Sequence, residues 1–202
     1  MALWKALRAG EYEQLGGDVS IISLRDPSLK WLHESEHAGQ QLFARKCDEA
    51  LYQLVMAQRA QRPGWGVLLT GNPGIGKSWF LSYILFRLAT DKKEDGSHEF
   101  NGHILYENVE ESSCYLFSPD GTVTVHSSPM SLSLSQYINN LEEVVYLFDP
   151  AGDAAAREPM ALEGSGTFTI LAAYPFKGHS QQFLKRNKTR FYMPCWTFAE
   201  ME

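Results

Sequence analysis

Eight consecutive residues, Gly71-Asn72-Pro73-Gly74-Ile75-Gly76-Lys77-Ser78, bring three glycines, a lysine and a hydroxyl side chain into one short turn. Glycine lets the backbone double back and carry its N–H groups against the oxygens of an anion. Lys77 would set its ammonium between the β- and γ-phosphates of a nucleotide, and the Ser78 hydroxyl can ligate Mg²⁺. Pro73 stiffens the turn and lowers the entropy lost on binding. The pattern GxxxxGK[ST] is met without exception, and its chemistry is the cradling of a triphosphate.

Such a turn needs a partner acid. The run Val144-Val145-Tyr146-Leu147-Phe148-Asp149 is apolar until it closes on an aspartate, the form of a Walker B strand. At a strand end beside the phosphate turn, Asp149 would hold Mg²⁺ through its water shell. The glutamate that often follows this aspartate, to activate water, is replaced by Pro150; Asp153 and Glu158 lie close by in sequence. A general base is defined by hydrogen-bond reach to the attacking water, which spacing alone does not give. The guanine-reading string Asn-Lys-x-Asp has no match, since Asn187-Lys188-Thr189-Arg190 ends in the wrong charge. ATP, or loose base selectivity, is therefore expected.

The elements that would position these groups can be read from periodicity. Trp65 to Thr70 is a short apolar run, expected as a strand buried on both faces. Ser78 to Leu88 reads as an apolar helix opening directly after the turn, whose N-terminal N–H groups and dipole favour an anion. Residues 35 to 60 read as one helix, with Leu42, Phe43, Cys47, Leu51, Leu54 and Val55 at helical spacing. Further strands are expected at Val19–Leu24, His103–Tyr106, Val144–Phe148, Thr167–Ala173 and Phe191–Met193. Cys114–Phe117 and Thr122–His126 flank Ser118-Pro119-Asp120-Gly121 as a hairpin, and a short helix is expected around Leu134–Asn139. Strands alternating with helices predict an α/β fold, a mainly parallel sheet flanked by helices, with a β-hairpin insertion.

Composition fits one domain. The chain has 202 residues, 44% apolar and 21% charged, as a globular protein with a sizeable core would. Its net charge of -6 gives no bulk attraction to nucleic acid. Cys47, Cys114 and Cys195 form no CxxC or zinc spacing, which points to reduced thiols in an intracellular setting. Lys5 and Arg8 precede no apolar stretch of the kind a secretory signal needs, and no window reaches the length of a membrane span.

Other residues have simpler uses. His33 and His37 stand at i, i+4 but lack further ligands, so a solvated helix start is expected. Lys185-Arg186-Asn187-Lys188-Thr189-Arg190 reads as an exposed turn that a phosphate backbone could also touch. Trp79, Tyr174 and Trp196 are assigned to packing, apart from the backbone N–H of Trp79. His126 and Cys195 are assigned structural roles.

The string Gly71-Asn72-Pro73-Gly74-Ile75-Gly76-Lys77-Ser78-Trp79-Phe80-Leu81 resembles the phosphate loop of Crinkler effectors and trypanosome retrotransposon hot spot proteins. Phe183-Leu184-Lys185, followed by Phe191-Tyr192-Met193-Pro194-Cys195-Trp196-Thr197-Phe198-Ala199-Glu200, is similar to their F-x-K … Y-M-P-x-W-x-x-x-E signature. The likeness covers residues 40 to 202. It implies a P-loop NTPase of the AAA-like branch, with Lys77 and Asp149 catalytic and Ser78 and Asp149 on Mg²⁺. Residues Gly71 to Trp79 would hold the nucleotide. It also implies a nuclear or cytoplasmic setting, a homo-oligomer, and nucleic acid contact through a C-terminal domain beyond this chain. The strand ending Ile170-Leu171-Ala172-Ala173-Tyr174-Pro175 carries no Ser, Thr or Asn at the sensor position, where the family tends to show Ser-Pro, and Glu202 falls where a helical lid would follow.

Residues 1–34 are thus read as an N-terminal extension and 35–202 as the NTPase domain, ending before its lid. Three functions fit: an ATPase, a nucleotide-gated interaction module with little turnover, and a P-loop kinase.

Overall fold

A computed structural model describes residues 2–9, 11–14, 19–24, 31–32, 41–150, 159, 166–174, 181–185, 188–197 and 200. In chain order the elements are α1 (Ala2–Arg8), β1 (Glu11–Gln14), β2 (Val19–Ser23), β3 (Gln41–Arg45), α2 (Lys46–Gln61), β4 (Gly66–Thr70) and α3 (Lys77–Thr90). Then come β5 (His103–Asn108), β6 (Ser113–Phe117), β7 (Val123–Ser127), α4 (Leu132–Asn139), β8 (Val144–Asp149), β9 (Thr167–Ala172), α5 (Gln181–Lys185) and β10 (Thr189–Tyr192).

Seven strands form the main sheet, in the order β10-β4-β9-β8-β5-β6-β7. The first five pair in parallel, and β6 and β7 add an antiparallel meander at one edge. This is the α/β, mostly parallel sheet flanked by helices that the alternating pattern predicts, and the hairpin is its antiparallel edge. Its turn closes through Gly121 N–H donating to the Ser118 carbonyl at 3.0 Å.

Period two explains why the central strands read as continuous apolar runs. Along β4, Val67 and Leu69 pack into one core with Phe80, Leu81 and Ile84 of α3, while Leu68 faces the opposite core. Along β8, Val145 and Leu147 join the first core, and Val144, Tyr146 and Phe148 join the second with Leu134 and Ile138 of α4. Fully burying one such side chain stabilises by about 1.5–3 kcal/mol, so both faces of each central strand bind it in place.

The helix expected over 35 to 60 is corrected. Residues 41–45 are strand β3, the helix starts at Lys46, and residues 35–40 lie outside those described. Leu42 and Ala44 are buried while Gln41 and Phe43 face out, which is strand alternation. β3 pairs antiparallel with β2, and with β1 they make a second, three-stranded sheet. Arg45 is the N-cap of α2, its backbone N–H donating to Asp48 Oδ2 at 2.9 Å. That capping box is where the extended chain turns helical.

The segment before residue 35 also carries elements: α1 lies against α3, and Trp4, Leu7, Ile22, Leu24, Trp31 and Leu32 share the first core. No helix among the described residues is long and apolar enough to cross a membrane.

Candidate functional site

The turn 71–76 joins the end of β4 to the start of α3. Gly74 has φ of 76° and Gly76 has φ of 95°, left-handed values that an L side chain adopts at a cost of roughly 1–2 kcal/mol. A Cβ on Gly74 would meet nothing within 4 Å, so glycine is required there by backbone conformation and not by space. Gly76 is the N-cap of α3 and offers no side chain as a cap, leaving the helix's positive end open to an anion.

Lys77 is buried at 8% exposure and its Nζ donates to the carbonyls of Gly71 at 3.0 Å and Asn72 at 2.8 Å. The ammonium also sits over the Tyr174 ring, 4.3 Å from its centre. Burial lowers the Lys77 pKa, against the opposing pull of the Asp149 charge. The lysine is thus held over the turn by its own loop.

Asp149 ends β8 one strand away, with β9 between it and β4. Its carboxyl is pushed up to about 6, first by burial and then by Glu110 and Glu111, while a hydrogen bond from Ser78 and the Lys77 charge act to lower it. Ser78, Lys77 and Asp149 are therefore neighbours at the C-terminal end of the sheet. That is where open parallel sheets bind ligands. A hydroxyl and a carboxylate are hard oxygen donors of the kind Mg²⁺ takes, with water and phosphate filling its other positions. The residues present fit that ion.

Among the described residues, the acids that act on Asp149 follow β5. β5 runs parallel to β8, with Asn108 opposite Asp149, and Val109 N–H donates to the Asp149 carbonyl at 3.0 Å. Glu110 and Glu111 follow directly. Burial, and then Glu110, raise the pKa of Glu111. Asp153 and Glu158, the acids nominated from sequence, lie outside the described residues, as do His33, His37, Arg186 and Asn187.

Residues 193–196 close the other side. β10 pairs with β4, Tyr192 opposite Thr70, and Met193 N–H donates to the Thr70 carbonyl at 2.9 Å. This register sets Cys195 against the turn, with Asn72 Nδ2 donating to its Sγ at 3.6 Å. The Pro194 carbonyl accepts from Arg45 NH1 at 3.1 Å, and the Arg45 guanidinium lies 4.7 Å from the Trp196 ring centre. Two motifs far apart in the chain thus meet at one place. Phe43, Arg45, Asp48, Gly74, Ile75, Gly76, Trp79 and Trp196 line a cavity of about 150 Å³ there. The packing roles given to Tyr174, Trp196 and Trp79, and the structural role given to Cys195, omit these contacts. Only the register of β9 and β10 on β4 reveals them.

Of the basic string, Lys188 Nζ lies over the Phe183 ring at 5.5 Å and Arg190 NH1 donates to Tyr192 OH at 3.1 Å. His126 Nε2 is 3.0 Å from Thr124 Oγ1 on the same strand. No protein-family model matches the chain, and no curated protein matches it.

Proposed function

We propose that this chain is a P-loop nucleotide-binding module of the AAA-like branch, of the Crinkler and retrotransposon hot spot kind, which binds Mg²⁺-ATP and hydrolyses it. One observation carries the reading. Lys77, Ser78 and Asp149, picked from two separate sequence motifs, lie together where a left-handed glycine turn opens a helix. A chance glycine-rich turn would have no reason to put its lysine and hydroxyl beside a half-buried aspartate at another strand's end.

On this reading backbone N–H groups from Gly74 to Trp79 contact the phosphate oxygens. Lys77 exchanges the Gly71 and Asn72 carbonyls for the β- and γ-phosphates and stabilises charge as the γ-phosphoryl group leaves. Ser78 and Asp149 would hold Mg²⁺, which neutralises phosphate charge when bound. A carboxylate from the turn after β5 would take the proton of the attacking water.

The test is equilibrium binding of Mg²⁺-ATP to the wild type and to Lys77→Ala, with circular dichroism as a check of fold. The variant is expected to fold and to lose tight binding; unchanged affinity contradicts the assignment.

A second reading, a nucleotide-gated interaction module with little turnover, is favoured by Tyr174. This aromatic ring faces Lys77 from the strand end where the resemblance puts a polar sensor. Phosphate release measured beside ATP binding separates the two, since binding without turnover selects the switch.

A further inference from the structure

We propose that the cavity beside the phosphate turn is a nucleobase site that grips its base by stacking and does not read which base it holds. The inference rests on the nucleotide-binding reading and names the substrate class of the same site: nucleoside triphosphates in general, purines before pyrimidines.

Gly74, Ile75, Gly76 and Trp79 form one wall of the cavity, and the same stretch of backbone would wrap the phosphates. A nucleoside carried by those phosphates has the cavity within reach.

Of the remaining lining residues, Phe43 and Trp196 are aromatic and Arg45 and Asp48 charged. Phe43 is 49% exposed, turned outward by the alternation of β3, although its neighbours Leu42 and Ala44 are buried. Trp196 and Trp79 are half-buried at the same cavity. Every nucleobase presents a π-face, so stacking on such rings is tolerant of base identity and is worth roughly 5- to 150-fold in affinity per base.

The charged groups lining the cavity are committed elsewhere. Asp48 Oδ1 accepts from Arg45 NH2 at 3.0 Å, and Asp48 Oδ2 accepts from Arg45 Nε at 3.3 Å and from the Arg45 backbone N–H at 2.9 Å. Arg45 NH1 is spent on the Pro194 carbonyl, and the guanidinium face on Trp196. Their side chains are only 1% and 8% exposed. This pair fastens β3, the start of α2 and the Trp196 segment into one wall. Strong discrimination between bases needs polar groups that the wrong base would leave unpaired, and among the described residues the lining side chains present π-faces and a self-satisfied ion pair.

The experiment measures equilibrium binding of the Mg²⁺ complexes of ATP, GTP, CTP, UTP and inorganic tripolyphosphate to the full chain, and to Trp196→Ala and Phe43→Ala. ATP and GTP are expected within about threefold of each other and CTP and UTP within about tenfold, all at least fivefold tighter than tripolyphosphate. Each alanine variant should lose about tenfold for all four nucleotides and nothing for tripolyphosphate. Because Phe43 is exposed, its variant decides the matter if Trp196→Ala does not fold. ATP binding roughly thirtyfold or more above GTP overturns an unread base. Nucleotides binding no better than tripolyphosphate overturn the base site while leaving the phosphate turn standing. Failure of every ligand, tripolyphosphate included, overturns the nucleotide reading itself.

Discussion

The ammonium of Lys77 lies 4.3 Å from the centre of the Tyr174 ring while donating to two carbonyls of its own turn. The lysine is therefore satisfied without a ligand, and a phosphate bound as proposed would compete with three partners. A partly desolvated cation–π contact is worth about 0.5–2 kcal/mol. Tyr174→Phe should leave nucleotide affinity within about twofold, because the ring face survives. Tyr174→Leu should tighten it by about two- to fivefold, since the free state loses a contact that the bound state gives up anyway. Titration calorimetry decides this: a loss of tenfold or more in the leucine variant would mean that the ring touches the ligand.

Cys195 provides a site-specific reporter. It is the exposed thiol of the three and it touches Asn72 of the turn. Burial is the main cause pushing the Cys47 thiol up to about 11 and the Cys114 thiol up to about 12. The thiolate is the nucleophile, so at pH 7.5 iodoacetamide should label Cys195 first and the other two at least about tenfold more slowly. Saturating Mg²⁺-ATP should slow labelling of Cys195. Peptide mapping by mass spectrometry reads both, and labelling of Cys195 that ignores the nucleotide would separate it from the bound ligand.

The fold was legible where burial is two-sided and obscure where an element changes type in mid-pattern. β4, β8 and β9 stand out because both faces are covered, so nearly every residue is apolar. Around β3 the spacing of Phe43, Cys47, Leu51 and Val55, four residues apart throughout, satisfies a helical period straight across a strand-to-helix junction. The local clue was Asp48, three residues after Arg45, where an N3 acid marks a helix start. The glycine turn at 71–76 and Asp149 were legible as local strings because each is contiguous and carries its own residue pattern. Phe43, Tyr174, Cys195 and Trp196 were not, because their nearness to the turn is a property of strand register. Glu110 and Glu111 were hidden for a similar reason: they follow β5, and only its pairing with β8 puts them near Asp149.

Asp149 predicts a pH dependence. Its pKa is raised to about 6, chiefly by burial, from an ordinary 3.8. The folded chain thus binds this proton more tightly than the unfolded chain does. The group opposes folding in full above about pH 6, and the opposition fades as the pH falls from 6 toward 4. In chelator without nucleotide, Asp149→Asn should unfold later than the wild type at pH 7.5, by about 3 kcal/mol. That gap should shrink by pH 4.5. Adding Mg²⁺-ATP at pH 7.5 should reverse the order, because the ionised carboxylate then has a cation to hold. Urea melts at the two pH values measure it, and a gap that widens in acid contradicts the burial argument.

Turnover, as distinct from binding, should depend on the turn after β5. Pro150 occupies the place after Asp149 where an activating glutamate often stands, and on the hydrolysis reading the turn after β5 brings the candidate base among the described residues. Asn108 is paired with Asp149, and Glu110 and Glu111 both bear electrostatically on that carboxylate. Glu111 is tied to the strand end beside Asp149, its N–H donating to Asn108 Oδ1 at 3.2 Å, and desolvation raises its carboxyl pKa, which favours proton acceptance. Glu111→Gln keeps the size and one acceptor oxygen but removes the basicity and the charge. It should cut phosphate release by roughly 10²-fold or more while changing Mg²⁺-ATP affinity by no more than about twofold. Glu110→Gln, which removes a repelling charge from both carboxyls, should retain turnover within about threefold. If Glu111→Gln turns over as the wild type does, the proton goes elsewhere. If both variants lose ATP binding together, the turn supports the site's structure and carries no base.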